Sequence, residues 1–542
     1  MNNHFKVFAI LLIIVSLTIG GCTTDMDIRN DNNPDTKRVL VTPADVENLI
    51  ASSFRLYHFA QHGHDPGRAL TVMGDEMSSS WGNNGMRDMS EEPAKAINNS
   101  SSYGSRRFIE DPWYDNYEVI SNVNDGINAI IGGLEMGEDG STDTDRAHAF
   151  AKMCQGLAQG YIGILFDKGF IFPEGIELSS YSPEFAESGL VTAAGIASLQ
   201  EAITLASADF TTPGDWINGV ELTNEELQQV CHSYIARYMV LDARTAAERA
   251  ALDWTTIVSH INSGITEDFG FEGDDNSWWH PVQYQSNWNG WHTVDNHLHG
   301  PSDTSGNYQA WLATPSASQM DFINFSSDRR VTGDDTGITD GEYFYYNPTM
   351  FHYASRGTYH WSRYRWQRYD YQYPSAYGFH PMLYTEELDM LKAEAYLRGY
   401  GGGSKADVAA LINTTRVGTG QMPALDGTES DLELWRAMCY EKRMETTLTG
   451  IAWYDYRAWA GLTMDGETVI HVPTGRALEF PVPAKELELL LLDTYTFGGV
   501  GNPNTTPGIK AGSRVIDMEY IQKAKAYIDR HNKSNEIVEV KK

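Results

Sequence analysis

Aromatic and amide side chains are concentrated in one stretch near the middle of the chain. Between residues 278 and 291, tryptophan and tyrosine alternate with asparagine and glutamine. Flat aromatic rings pack against the C–H faces of sugar rings, and amides hydrogen-bond to hydroxyl groups, so this mixture suits carbohydrate. An earlier loop offers a similar mixture. We therefore expect a glycan-binding surface formed by Trp81, Arg87, Trp279, Tyr284, Trp288, Asn289 and Trp291.

A second interpretation of the same aromatic residues is structural. Large rings also fill the core of irregular segments, and for residues 278–291 the composition favours neither role over the other. For residues 343–379 we favour packing, because Tyr369, Tyr371 and Tyr373 alternate as they would in a strand.

Catalytic motifs are missing from the sequence. It contains no HExxH, GxSxG or phosphate-binding GxxxxGK[ST] pattern, and Gly401–Lys405 follows a predicted helix instead of a strand. We therefore expect a binding protein and not an enzyme. A pair of carboxylates for glycoside hydrolysis stays open, since the 73 acidic residues allow many spatial pairs.

Four residues of the central stretch have side chains that bind metals: His292, Asp295, His297 and His299. Histidines in a polar, aromatic loop more often hydrogen-bond to the backbone or a ligand, so we predict no metal there. The acidic stretches 139–145 and 334–335 lack the full calcium-loop spacing. We expect no cofactor, with calcium as the one ion left open.

The overall charge limits the possible partners. The 542 residues carry a formal net charge of −33, and the isoelectric point is about 4.8. A nucleic-acid-binding surface must be basic, and so must a surface that binds acidic lipids. Neither partner is therefore expected.

The N-terminus predicts export and a lipid anchor. Residues 7–19 form an apolar run too short to span a bilayer, and small residues precede Cys22. This pattern resembles a bacterial lipobox, so we predict a lipoprotein signal peptide over residues 1–21, lipidation of Cys22 and a polar tether over 22–41. The other cysteines, Cys154, Cys231 and Cys439, have apolar neighbours and are expected to be buried free thiols.

Helical periodicity covers most of the remaining chain. We predict a helix from Thr42 to about residue 60, a long loop over 61–112, and helices over 113–134, 147–166, 191–207, 224–252, 383–398, 407–416, 435–450 and 518–531. A hairpin is predicted from strands 468–472 and 477–482. Residues 42–542 would form one domain, with helical parts 42–269 and 382–542 flanking an irregular aromatic-rich insertion, 270–381.

Several motifs follow one another along the chain, and the longest consists of Glu441, Arg443, Met444, Glu445, Gly450, Trp453, Asp455, Arg457 and Trp459. It resembles the C-terminal signature of the SusD/RagB family of outer-membrane nutrient-binding lipoproteins. Further matches are Trp113, Tyr117, Ile120 and Asn122, then Ile412, Asn413 and Arg416, then Phe480–Pro483 with Glu486. Two positions depart from the signature: Thr449 replaces Glu, and Ala452 replaces Arg.

The resemblance implies a fold and a function. The fold would be mainly α, with tetratricopeptide-like stacked helix pairs, an irregular aromatic-rich lobe and a short β-hairpin. The protein would sit on the cell surface, anchored by lipid to the outer membrane, and would deliver oligosaccharide or polysaccharide to a SusC-like TonB-dependent transporter. The alternatives are a surface-tethered glycan-processing enzyme and a binder of peptides or other non-sugar nutrients.

Overall fold

The computed structural model describes residues 42–137, 141–176, 183–288, 290–500 and 516–539. The predicted signal peptide, the lipidation site Cys22 and the tether all lie outside the described residues, and so does Asn289. Within the described part of the chain, no helix is both long enough and apolar enough to cross a membrane.

Helices make up most of the described secondary structure. The longer ones are Pro43–His62, His64–Met73, Arg107–Ile131, Ser141–Leu165, Ser188–Leu205, Asn224–Leu241, Trp254–Asn262, Thr385–Leu397, Lys405–Arg416, Asp431–Glu445, Ala452–Trp459 and Met518–Glu539. Short helices are Met86–Ser90, Ala246–Ala250, Pro281–Tyr284, Asn296–His299, Asn307–Leu312 and Ala484–Leu489. Helices that follow one another along the chain also pack together, as in tetratricopeptide-like stacks. The predicted fold class is confirmed.

Side-chain caps fix where several of these helices begin. The side chains of Thr223, Ser404 and Ser430 each accept a hydrogen bond from the backbone N–H three residues later. The acidic side chain at that later position accepts in turn from the backbone N–H of the capping residue. This capping box satisfies N–H groups that the first helical turn leaves unpaired. The helix starts are therefore local properties of the sequence.

Glycine allows a close helix contact in the stack. The helices Ser141–Leu165 and Ser188–Leu205 touch where Gly156 and Gly160 face Gly195. A Cβ atom on Gly195 would overlap the backbone of Gly160, so a larger residue cannot occupy that position without a shift. The two backbones meet directly.

Strands are short and occur in antiparallel pairs, five of them in the described part of the chain. The longest pair joins Phe269–Gly273 to Gly378–Leu383 and closes the base of the irregular segment. The others join Met77–Ser78 to Thr293–Val294, Lys168–Gly169 to Ala186–Glu187, Phe344–Tyr346 to Tyr364–Trp366, and Thr463–Met464 to Glu467–Thr468.

A buried ion cluster ties the irregular segment to the C-terminal helices. The Arg330 guanidinium contacts Asp328, Glu441 and Glu445 at 2.6–2.7 Å, and all four side chains are at most 3% exposed. A second cluster joins Asp455 to Lys442 at 2.7 Å and to Arg249 at 2.8 Å. Buried charges persist only when paired in this way.

Some sequence predictions are wrong in detail. Residues 61–112 are not one loop, because they contain the helix His64–Met73, whose first turn includes the turn-favouring residues Pro66 and Gly67. The predicted helix 224–252 ends at Leu241. The hairpin lies at 463–468, around Asp465 and Gly466, both with positive φ, and not at 468–482.

Asp455 and Arg457, two residues of the C-terminal signature, do not pair with each other. Arg457 instead donates to the main-chain carbonyls of Ile164 and Leu241 at 2.8 and 2.9 Å. The predicted helix 435–450 spans Asp431–Glu445, so Gly450, with a φ of +81°, lies beyond its end. The expectation for the cysteines is confirmed: Cys154, Cys231 and Cys439 are buried free thiols.

Candidate functional site

Main-chain pairing brings the early loop against the central aromatic stretch. Met77 and Ser78 pair with Val294 and Thr293, which places the residues after Ser78 beside those before Thr293. Trp81 Nε1 then donates to the Gly290 carbonyl at 2.6 Å, and Ser79 Oγ donates to the Trp291 carbonyl at 2.6 Å. Two predicted parts of the site are thus adjacent.

Three of the predicted aromatic residues form one surface group. The Trp288 and Trp291 rings stack with centroids 5.1 Å apart and planes 28° from parallel. The buried Arg68 guanidinium packs against the Trp291 ring, 4.3 Å from its centroid. Trp81 is 40% exposed and Trp288 is 37% exposed, which is unusual for residues of this size and leaves ring surface open to a ligand.

Sequence reasoning missed a neighbouring part of this group. Tyr353 and Arg356 reach Ser80: the Tyr353 N–H donates to Ser80 Oγ at 3.3 Å, and Arg356 Nη1 donates to the Ser80 carbonyl at 2.9 Å. The Arg356 guanidinium lies 4.3 Å from the Tyr353 ring centroid and 5.8 Å from that of Trp81. We call Trp81, Trp288, Trp291, Tyr353 and Arg356 the tryptophan patch.

The other predicted aromatics make a separate set of contacts. Trp279 and Tyr284 meet edge to face at 5.3 Å, and Tyr284 also contacts the exposed Tyr373 at 5.4 Å. The Tyr284 hydroxyl donates to the Pro374 carbonyl at 2.7 Å. Its proton is therefore already engaged, and a ligand would meet this hydroxyl as an acceptor.

Arg87 is held by acidic neighbours. Its guanidinium lies 3.2 Å from Asp88 and 3.5 Å from Glu91, although its backbone N–H donates to the Trp81 carbonyl at 2.9 Å. The side chain is still 40% exposed and borders the tryptophan patch through its backbone.

The tryptophan patch has side chains that are suited to binding a ligand. Its charged group, Arg356, cannot exchange a proton near neutral pH. Burial lowers the pKa of the supporting Arg68 to about 10, so that guanidinium also stays protonated at pH 7. Exposed rings with hydrogen-bond donors at the edge suit a ligand with apolar faces and hydroxyl rims.

A separate cavity of about 680 Å³ lies between the segment after Gly300 and the C-terminal helices. Its walls include Tyr308, Tyr440, Arg416, Arg436 and Glu433, and none of the described residues predicted for the site lines it. Several of these charges already have partners: Arg436 pairs with Glu467 at 3.1 Å, and Arg416 donates to the Pro423 carbonyl at 2.8 Å.

The sequence offers His292, Asp295, His297 and His299 as possible metal ligands but predicts no metal there, and the four side chains do not converge as a set. His292 bonds to the Gln285 carbonyl at 3.0 Å, and His299 bonds to the Asn296 side chain at 2.9 Å. The remaining two, Asp295 and His297, are buried together and contact each other at 3.0 Å.

Known proteins resemble this chain in structure. No family model matches the sequence, and no curated protein matches it. A SusD homolog from Bacteroides thetaiotaomicron superposes with a TM-score of 0.55 at 12% identity, over 85% of this chain and 98% of that chain. A SusD superfamily protein from Bacteroides vulgatus gives 0.52 at 12% identity, over 83% and 97%.

A third similar structure is described as a SusD-like carbohydrate binding protein from Bacteroides fragilis. Its TM-score is 0.53 at 13% identity, over 77% of this chain and 86% of that chain. At these identities the comparison establishes the fold, and this chain has the SusD-like fold over most of its length.

Proposed function

We propose that this protein captures oligosaccharides or polysaccharides at the tryptophan patch and does not alter them chemically. The observation that carries the proposal is the stacked pair of the exposed Trp288 and the half-buried Trp291, which lies beside the exposed Trp81 and is backed by a buried guanidinium. The fold supports it, since one similar structure is a carbohydrate binding protein.

The protein would act at the cell surface. The lipobox-like sequence before Cys22 supports a lipid anchor, and the resemblance to the SusD/RagB family supports delivery of the glycan to a SusC-like TonB-dependent transporter. Replacing Cys22 by Ser should move the protein from the membrane fraction to the soluble fraction. An unchanged membrane fraction would contradict the anchor.

Calorimetry tests the binding role. Residues 23–542 would be titrated with a panel of polysaccharides and their oligosaccharides, and the sugars would be analysed after prolonged incubation. We expect binding with no shortened products. Trp288→Ala should weaken binding at least tenfold, because it removes half of the stacked pair. The matched control is Tyr400→Ala, which removes an exposed aromatic ring in the turn after the helix Thr385–Leu397.

Other outcomes would favour the alternatives. Release of shorter sugars would indicate a glycan-processing enzyme. The cavity supports a second candidate, a peptide, because its walls carry both arginine and glutamate side chains that suit charged termini. Binding of short peptides, lost in Arg416→Ala and kept in Trp288→Ala, would favour that candidate over glycan capture.

A further inference from the structure

Three segments distant in sequence bring acidic and imidazole side chains together behind the strand pair Met77–Ser78 and Thr293–Val294. Asp75 precedes this pair, while Asp295 and His297 follow it. A bridge between Asp295 and Trp361 then brings in His360. One potential ligand atom from each of Asp75, His297 and His360 lies within 4.8 Å of the others. All are at least nine-tenths buried.

Two atoms of this cluster have no hydrogen-bond partner. They are Asp75 Oδ2 and His360 Nδ1, and the two residues are 0% and 3% exposed. The other oxygen of Asp75 is engaged, because it accepts from Arg476 at 2.7 Å. An unpaired buried polar atom is costly, so each such atom in a folded protein calls for an explanation. Here both atoms belong to one cluster.

His297 is oriented as a metal-binding histidine would be. Its Nδ1 lies 3.0 Å from Asp295 Oδ1, which also accepts the His297 backbone N–H at 2.8 Å. A carboxylate can only accept, so Nδ1 carries the proton and Nε2 keeps its lone pair. A carboxylate behind a histidine is the usual outer support of a metal ligand.

The surrounding charges favour a cation. Asp75, Asp295 and Glu92 gather around one guanidinium, that of Arg476, which lies 2.7 Å from Asp75 and 3.9 Å from Glu92. A second guanidinium, that of Arg443, donates to the main-chain carbonyls of Asp75 and His297. Three carboxylates thus face two guanidinium groups in a buried region, where excess charge is expensive. A bound divalent ion would offset that excess.

We propose that Asp75, His297 and His360 bind a divalent transition-metal ion, with zinc as the best fit. Two imidazoles and a carboxylate suit zinc, whereas calcium and magnesium prefer oxygen ligands alone. Zinc bonds of about 2.0–2.2 Å place ligand atoms roughly 3.3 Å apart, so modest side-chain rotations complete the site. The ion would join three separate segments. It lies close behind the 680 Å³ cavity, because the wall residue Arg443 donates to the His297 carbonyl at 2.8 Å.

Zinc titration of chelator-treated residues 23–542, followed by metal analysis, tests the site. We expect one zinc per chain. His360→Gln and His297→Gln should each reduce affinity at least tenfold. The control is His380→Gln, which removes a buried histidine outside the cluster, bonded to the Ala376 carbonyl at 2.7 Å. Equal affinity in His360→Gln and wild type, or no uptake by wild type at micromolar free zinc, would overturn the proposal.

Two further measurements keep the test independent of folding defects. Cobalt(II) added to the wild-type protein should give the intense visible absorption of a tetrahedral nitrogen and oxygen site, and its absence would contradict the proposed ligands. Asp295→Asn should keep one zinc per chain with affinity about 10–100-fold lower, since it weakens the support of His297. Unchanged affinity would refute the positioning role of Asp295.

Discussion

Arg330 provides the sharpest test of how the irregular segment is held. Its guanidinium contacts Asp328, Glu441 and Glu445 at 2.6–2.7 Å, with all four side chains out of solvent. Replacing it by Met removes the nearest cation from three buried carboxylates and leaves only longer contacts, from Glu441 to Arg416 at 3.9 Å and from Glu445 to Arg368 at 3.4 Å. Breaking one buried pair costs about 3–5 kcal/mol, so we expect Arg330→Met to lower the free energy of unfolding by at least that amount.

The adjacent arginine supplies a matched control for this experiment. Arg329 pairs with Asp335 at 2.6 Å, but that partner side chain is 84% exposed. Surface pairs contribute about 0–1 kcal/mol, so Arg329→Met should hardly move the urea midpoint at pH 7. Adding Glu441→Gln to Arg330→Met should recover part of the loss, because a buried amide costs less than an unpaired carboxylate. Equal midpoints for Arg329→Met and Arg330→Met would refute the reasoning.

The other predictions concern packing, pH and thiol reactivity. Gly195→Ala should lower the free energy of unfolding in urea by about 1–3 kcal/mol, because the added methyl group forces two helices apart. Gly104→Ala should leave it unchanged, because the space around Gly104 is open. Equal effects of the two substitutions would contradict this packing. Burial raises the pKa of Glu76 from its usual 4.5 to about 7, so its contribution to stability falls as pH rises from about 4.5 to 7. In the wild type the free energy of unfolding should therefore decline by about 3 kcal/mol over that pH range, and Glu76→Gln should remove this decline. The same pH profile in Glu76→Gln and wild type would contradict the role of Glu76. Cys154, Cys231 and Cys439 should react with a thiol reagent only after denaturation, because burial raises the pKa of each thiol; rapid native labelling would show that these sites open.

Periodicity in the sequence was sufficient to predict a helix that has one solvent-exposed face. The amphipathic helix Arg107–Ile131 was predicted, although its start was placed at residue 113. The helix His64–Met73 was missed because it is short and has Pro66 and Gly67 in its first turn, two residues that usually mark turns and loops. The hairpin at 463–468 did carry a local signal, the dipeptide Asp465-Gly466, which favours its tight turn.

The candidate sites depended on contacts that no local pattern reveals. Composition drew attention to Trp81 and Trp288, but Tyr353 and Arg356 join them only through hydrogen bonds to the distant Ser80. In the same way, the sequence offered His297 as a possible metal ligand but predicted no metal. Asp75 and His360, which join it in the buried cluster, come from elsewhere in the chain. Side chains assembled across long sequence separations become visible only in three dimensions.

The most direct measurement of the central claim is a crystal structure of residues 23–542 with the tightest-binding oligosaccharide from the calorimetric panel. Glycan capture at the tryptophan patch predicts a sugar ring lying flat on Trp288 or Trp81, with its hydroxyl groups near Arg356. An ordered sugar in the 680 Å³ cavity beside Tyr308 and Tyr440, with the patch empty, would contradict the account.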